Sequence, residues 1–166
     1  SLGANDLKAG IGYLRSAIGL DPAALPLRIA LVKALMASGH NAEAESARND
    51  ILECLPRDAD TLRVAADLSL QLGLFADAAR LAGEAVNAAQ TSRDASPATV
   101  ETISFVLARA LMANGGKDAA IDLYKKLASA QWDMPGRIAA MLDWETELNG
   151  LGPDSKADAD AVADAL

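Results

Sequence analysis

Few side chains of this sequence have the chemistry of a catalytic site. His40 is the only histidine and Cys54 the only cysteine among the 166 residues. Histidine is the commonest general base in enzymes, but His40 directly follows Gly39, and at such a turn we expect it to be solvated or to cap a helix. Cys54 has no partner for an internal disulfide, and beside Leu55 we expect it to be a small packed side chain.

Metal and phosphate sites are not predicted either. A zinc site needs more histidine or cysteine than this chain contains. The acidic C-terminal stretch lacks the glycine and the terminal glutamate of a calcium loop, and no strand precedes the early glycines, as a phosphate-binding loop would require. We therefore predict that the protein has no catalytic residue, metal or cofactor and is not an enzyme. The residues concerned are Asp154, Asp158, Asp160 and Asp164, and Gly10, Gly12 and Gly19.

The charge of the chain restricts its partners. A net charge of −8 and an isoelectric point near 4.5 argue against binding to nucleic acid, whose phosphates attract basic surfaces. No apolar run approaches the roughly 18 residues of a membrane-spanning helix. We expect a soluble segment, and its compartment stays open between the cytoplasm and the periplasm.

The sequence contains an internal repeat, which would position the side chains of the protein. Ala-Leu-Met-Ala-Ser-Gly at 34–39 returns as Ala-Leu-Met-Ala-Asn-Gly at 110–115. Three markers recur with a spacing of 34 residues, whereas the step from Gly73 to Gly115 is 42. We expect the eight extra residues in the polar stretch 90–97, where Pro97 would open a new helix inside a lengthened loop. The three markers are Pro22 with Pro56, Gly39 with Gly73, and Ala44 with Ala78.

Each unit is expected to be a pair of helices. Apolar residues follow the i, i+3, i+4, i+7, i+8 spacing of amphipathic helices, for example from Leu27 to Leu35. Gly39, Gly73 and Gly115 stand where the first helix must end, and glycine adopts the positive φ of such a turn without a Cβ clash.

Small residues and caps support the same organisation. Ala44, Ala78 and Ala120 fall where the two helices of a unit approach each other most closely, so a larger side chain would overpack there. Asp21 and Ser96 each precede a proline, and we predict that both cap the following helix.

This pattern resembles the tetratricopeptide repeat family over about residues 5–150. The resemblance rests on the 34-residue unit, the small residue at the helix crossing, the glycine at the turn and the proline at the end of the unit. HEAT-like or Sel1-like repeats are the alternative, and the strict spacing argues against both. The repeats are divergent, because the expected aromatic of the first helix is replaced by Arg28, Leu62 and Ser104, and that of the second helix survives only as Tyr124, against Arg48 and Ala82.

We therefore predict an all-α fold. It is a right-handed α-solenoid of antiparallel helix pairs, with about three full repeats and partial repeats at both ends. The half repeat at the N-terminus lacks its own first helix, so we expect the single domain 1–166 to be a fragment of a longer protein. Its expected parts are a half repeat at 6–20, repeats at 22–55, 56–89 and 97–131, and C-terminal helices at 133–166, with Trp132 and Trp144 as packed side chains.

The resemblance implies a module that binds another protein in a concave groove. The first helices line that groove, and the residues beside their packing stripe form three rows across the repeats. One row is apolar and contains two methionines, which adapt well to partners; the alternative is that these side chains are ordinary helix surface or touch the neighbouring helix. The rows are Ile29, Arg63 and Phe105; Lys33, Asp67 and Arg109; and Met36, Leu70 and Met112.

The expected partner is a peptide or helix with apolar anchors and acidic character. The carboxylate clamp of the family is not reproduced, since Ile29 and Asp67 occupy its positions. Two other functions stay open. One is a self-assembling scaffold, a homo-oligomer that docks through the unmatched ends or the insertion at 91–97. The other is an accessory domain of a larger bacterial envelope or polysaccharide-assembly enzyme.

Overall fold

The described residues of the chain form a row of helices. The computed structural model describes residues 2–93 and 95–128, and within them it has seven helices and no strand. The expected C-terminal helices at 133–166, both tryptophans and the acidic residues at 154–164 lie outside the described residues. The helices are α1 Leu2–Leu20, α2 Leu25–Ala37, α3 Asn41–Cys54, α4 Ala59–Gln71, α5 Phe75–Thr91, α6 Pro97–Ala113 and α7 Lys117–Ala128.

Two kinds of helix alternate along the chain. We call α2, α4 and α6 first helices and α1, α3, α5 and α7 second helices. Each helix packs against the next one in the chain across a short connection, so neighbours run antiparallel. The predicted all-α solenoid of helix pairs is confirmed.

A glycine ends each first helix in the predicted way. The φ angles of Gly39, Gly73 and Gly115 are 76°, 77° and 84°, in the region that other residues rarely adopt. Each glycine N–H donates to the carbonyl three residues earlier, at 2.9 to 3.1 Å. In the repeated Ala-Leu-Met motif, that acceptor is the methionine itself, Met36 or Met112. The turn and the motif are therefore one structural unit.

The alanines predicted at the helix crossings are fully enclosed. Ala44, Ala78 and Ala120 each have a relative exposure of 0%. Their small side chains let the two helices of a pair approach closely, while larger side chains such as Leu35, Ile51 and Leu68 fill the space between successive pairs.

The eight inserted residues lengthen two helices instead of forming a separate one. Compared with α3, the helix α5 continues for three more residues, to Thr91. Compared with α4, the helix α6 starts four residues earlier, at Pro97, and the connection takes up the remaining residue. The prediction that Pro97 opens a helix is confirmed, because Pro97 is the first residue of α6. The expected lengthened loop is wrong, because the connection before α6 is only one residue longer than the one before α4.

The two predicted helix caps have different outcomes. Ser96 caps α6, since its Oγ accepts a hydrogen bond from the Thr99 N–H at 3.2 Å. The prediction that Asp21 caps α2 is wrong: α2 begins at Leu25, and Asp21 accepts from the Ala23 N–H at 3.2 Å in the preceding turn. The reason is a second proline, Pro26, which lies in the first turn of α2 and is suited to that place because no N–H is needed there.

Ion pairs link successive second helices. The guanidinium groups reach across to carboxylates on the next second helix, and two of those carboxylates, Glu43 and Asp77, are 34 residues apart. The hydrogen bonds from Arg48, and secondarily from Arg80, hold the pKa of Asp77 below its usual value. Two pairs run from helix to helix, Arg15 with Glu43 at 2.6 Å and Arg48 with Asp77 at 3.1 Å. A third joins Arg57, in the connection between α3 and α4, to Glu84 of α5 at 2.6 Å.

Candidate functional site

The first helices form a continuous face across the repeats. The central one, α4, packs directly against both α2 and α6. Within residues 2–93 and 95–128, α3 and α5 are joined mainly by the ion pair of Arg48 with Asp77, and α5 and α7 have no comparable packing. Because the helices are closer together on the first-helix side, the stack bends toward that side. The predicted groove residues lie on these three helices, and we call the nine of them the first-helix face.

The central row of this face is joined by an ion pair. Asp67 on α4 and Arg109 on α6 lie 3.7 Å apart, and each side chain is 33% exposed. Lys33 on α2 is exposed at the other end of the row. These residues come from three successive repeats, so the structure brings side chains far apart in the sequence onto one surface.

The row of Ile29, Arg63 and Phe105 is more enclosed. Ile29 packs against the core between α2 and α4, and the ring of Phe105 lies 6.2 Å from that of Tyr124. Arg63 pairs with Asp60 of its own helix at 2.6 Å and remains partly exposed. Of this row, Arg63 is the residue that presents a charged group to solvent.

The apolar row is shared between the core and the surface. Met36, Leu70 and Met112 are each half-buried and pack against a different core cluster. The apolar strip expected from the sequence is therefore only partly exposed. A substitution in this strip therefore changes the packing of the stack as well as its surface.

The helix pairs and their turns agree with a sequence match. A family model described as tetratricopeptide repeat matches residues 1–68, which include α1, α2, α3 and most of α4. Residues 1–68 are therefore similar to tetratricopeptide repeats. Repeats of this kind generally mediate protein–protein interactions and are generally not catalytic.

Solved structures show the same fold over nearly the whole chain. A Podosopora anserina putative kinesin light chain with nearly identical tetratricopeptide-like repeats has a TM-score of 0.62 and 18% sequence identity, covering 97% of this chain and 87% of the other. A variant of that protein gives a TM-score of 0.64 and 19% identity with the same coverage. At such identities the likeness concerns the fold alone. No curated protein matches the sequence significantly.

His40 and Cys54 both lie on the surface of the repeats. His40 is exposed and is the N-cap residue of α3, but its side chain makes no capping hydrogen bond. The prediction that Cys54 is packed is wrong, because Cys54 is exposed. It falls off the buried stripe of α3, which runs through Ala47, Ile51 and Leu55.

The described part of the chain was also compared with the requirements of a metal site and of a membrane-spanning helix. No group of three or more histidine, cysteine, aspartate or glutamate side chains is placed to hold a metal ion among those residues. None of the described helices is both long enough and apolar enough to cross a membrane.

Sequence reasoning missed two buried arginines. Arg28 and Arg48 were noted only as departures from the aromatic pattern of the tetratricopeptide repeat, yet their relative exposures are 7% and 1%. The signal was present, since a charged residue at a core position must satisfy its charge within the fold or with a ligand. Arg48 does so with Asp77, whereas Arg28 donates to the carbonyl of Pro22 and has no ion-pair partner among the described residues.

Proposed function

We propose that the first-helix face binds a peptide or helix of a partner protein and that the protein acts as a non-catalytic interaction module. The observation that carries this proposal is the contact between successive first helices, which places Asp67 and Arg109 within 3.7 Å of each other. A single extended ligand lying along the central row would therefore meet side chains from three repeats at once.

The charges of the face favour an acidic partner. Its nine residues include three cations, Lys33, Arg63 and Arg109, and one anion, Asp67, in a chain whose net charge is −8. Arg63 and Arg109 are paired with Asp60 and Asp67, but both stay partly exposed, and together with Lys33 they would attract carboxylates of a ligand.

The apolar row would supply anchoring contacts. The partly exposed side chains of Met36, Leu70 and Met112 lie one per repeat. Unbranched methionine side chains adjust to ligands of different shape. A partner with a few spaced apolar residues and flanking acidic residues fits this arrangement.

The proposal can be tested by selecting ligands from a random peptide display library on the full chain. The expected outcome is a set of peptides enriched in acidic residues and spaced apolar residues. Their affinity is then measured for Lys33→Glu combined with Arg63→Glu, which reverses two charges of the face, and should fall at least about tenfold because like charges oppose binding.

A matched control reverses two charges away from the face. Lys8 on α1 and Lys125 on α7 are both exposed on second helices, so Lys8→Glu combined with Lys125→Glu alters the net charge equally. Peptides should bind this control as they bind the unaltered protein. Equal losses in both variants, or selected peptides without acidic residues, would contradict the proposal.

Self-association is a second candidate, and one feature of α1 favours it. Tyr13 is 77% exposed, whereas Ala47 and Leu81, at the same position of the next two second helices, are 8% and 0% exposed. A helix from another copy could cover this face of α1. Light scattering should then show a mass that increases with concentration and a monomer for Tyr13→Lys; a strict monomer without the substitution would reject this candidate.

A further inference from the structure

A cavity between α1, α2 and α3 contains a buried arginine without a counter-ion. The cavity has a volume of about 300 Å³, and Arg28 on α2 forms part of its wall. The residue is only 7% exposed. Its one hydrogen bond within the described residues runs from Nε to the carbonyl of Pro22, at 2.9 Å, and no described carboxylate pairs with it. Both Nη groups are therefore left for a further partner.

The other deeply buried arginine shows what this site lacks. Arg48 donates from Nη2 to Asp77 at 3.1 Å, so its charge is balanced within the protein. A buried charge without such a partner is costly. For Arg28 no carboxylate of the described residues lies within ion-pair distance. Its Nη groups are not among the buried atoms that lack a hydrogen-bond partner, so they are accessible to a ligand in the cavity.

The surroundings of Arg28 restrict the charge of that anion. Glu43 and Asp50 also line the cavity, and Glu43 is paired with Arg15 at 2.6 Å. A dianion such as phosphate would be repelled by these carboxylates, while a singly charged planar carboxylate matches the fork of the guanidinium. The exposed Ser46 on the same wall adds a hydroxyl that can donate to it.

The remaining wall is apolar. Ile18, Leu31 and Leu35 line the cavity beside the charged groups. We propose that this cavity binds a monocarboxylate carried on a small branched apolar group, a chemistry shared by the C-terminus of a peptide ending in leucine and by free small acids. The site is separate from the first-helix face, because Leu31 and Leu35 lie on a different side of α2 from Lys33 and Met36.

Binding can be measured by calorimetry on the full chain with N-acetyl-leucine, N-acetyl-leucine amide and inorganic phosphate. The acid should bind, and the amide and phosphate should bind at least tenfold more weakly. Equal binding of acid and amide, or preference for phosphate, would overturn the proposal. A peptide with a free C-terminal leucine is compared with its amidated form: if the free peptide binds more tightly than N-acetyl-leucine the source is a chain terminus, and if it does not the source is a small acid.

Variants locate the binding site. Arg28→Met should abolish binding of the acid, and Arg28→Lys should weaken it because the fork is lost. Ser46→Phe fills the cavity from an exposed position and should also abolish binding, which keeps the test valid if the Arg28 variants do not fold. Asp50→Asn should strengthen binding by removing a negative charge. Arg80→Met, which removes an exposed arginine already paired with Asp77 and Glu84, should have no effect. Undiminished binding in Arg28→Met or Ser46→Phe, or weaker binding in Asp50→Asn, would contradict the assignment.

Discussion

Arg48 on α3 donates a hydrogen bond from Nη2 to Oδ2 of Asp77 on α5, at 3.1 Å. The arginine side chain is 2% exposed and the aspartate side chain 43% exposed. The cation therefore lies inside the stack, and its carboxylate partner lies at the surface. The Nε of Arg48 has no hydrogen-bond partner in the described structure. This pair joins two second helices that have little other contact. The link between the helices is lost when either residue is replaced.

The first prediction concerns the two members of this pair. Asp77→Ala leaves the buried guanidinium without its carboxylate and should lower the free energy of unfolding by about 1–3 kcal/mol. Arg48→Met removes the buried charge together with its unsatisfied Nε and should cost less, about 1 kcal/mol or nothing, because apolar replacements of buried ion pairs are often neutral. Urea denaturation measures both changes.

Asp77 also pairs with Arg80, at 3.2 Å, so the control is Arg80→Met. This exposed pair should contribute less than about 1 kcal/mol. If Asp77→Ala proves milder than Arg48→Met, the account of the pair is wrong.

The second prediction concerns acid stability. Arg48 and then Arg80 lower the pKa of Asp77, and Arg57 followed by Arg80 lowers the pKa of Glu84. Because both pKa values are depressed in the folded state, the stabilisation is present above the unfolded-state pKa values, near about 4, and is lost as the pH falls below them. Urea denaturation is measured from pH 6 to pH 3 in steps of about half a pH unit. The unfolding free energy should fall less for Asp77→Asn than for the unaltered protein. A fall of the same size in both proteins would show that Asp77 does not contribute.

The third prediction contrasts two glycines. Gly73 has a φ of 77°, so Gly73→Ala should destabilise the protein by about 1–2 kcal/mol. Gly83 lies inside α5, and an added Cβ there would meet no atom within 4 Å. Gly83→Ala should therefore stabilise the protein by about 0.5–1 kcal/mol. The melting temperatures of the two variants, measured by circular dichroism, should shift in opposite directions. A shift in the same direction would contradict the positive φ assigned to Gly73.

The fourth prediction tests the helix crossing. Ala78 has 0% exposure at the contact between α4 and α5, so Ala78→Leu should overpack and cost about 1–3 kcal/mol. Ala76, two residues earlier on the same helix, is exposed, and Ala76→Leu should change the unfolding free energy by less than about 0.5 kcal/mol. Chemical denaturation of the two variants checks this, and similar values would contradict the close approach at Ala78.

The helix pairs could be predicted from the sequence because their determinants recur. Gly39, Gly73 and Gly115 need positive φ for the same local reason in every repeat, and Ala44 and Ala78 mark the same crossing. Such local requirements can be recognised from the sequence alone. Helix ends were less predictable: Asp21 has a capping side chain, but Pro26 decided where α2 starts.

Contacts between repeats were harder to predict. The ion pair of Asp67 with Arg109 and that of Arg48 with Asp77 both depend on how far one repeat is displaced from the next, which the period alone does not specify. The cavity beside Arg28 likewise arises from three helices together. The rows of the first-helix face could be proposed in advance because equivalent positions on stacked helices lie in line, but the half-burial of Met36 and Met112 could not.

The most direct test of the central claim is to map where a peptide binds. Amide chemical shifts of isotopically labelled protein are recorded while a library-selected peptide is added. The account predicts that the changes concentrate on α2, α4 and α6, around Lys33, Asp67 and Arg109, with little change on α3 and α5. Changes confined to the second helices would contradict the claim that the first-helix face is the binding surface.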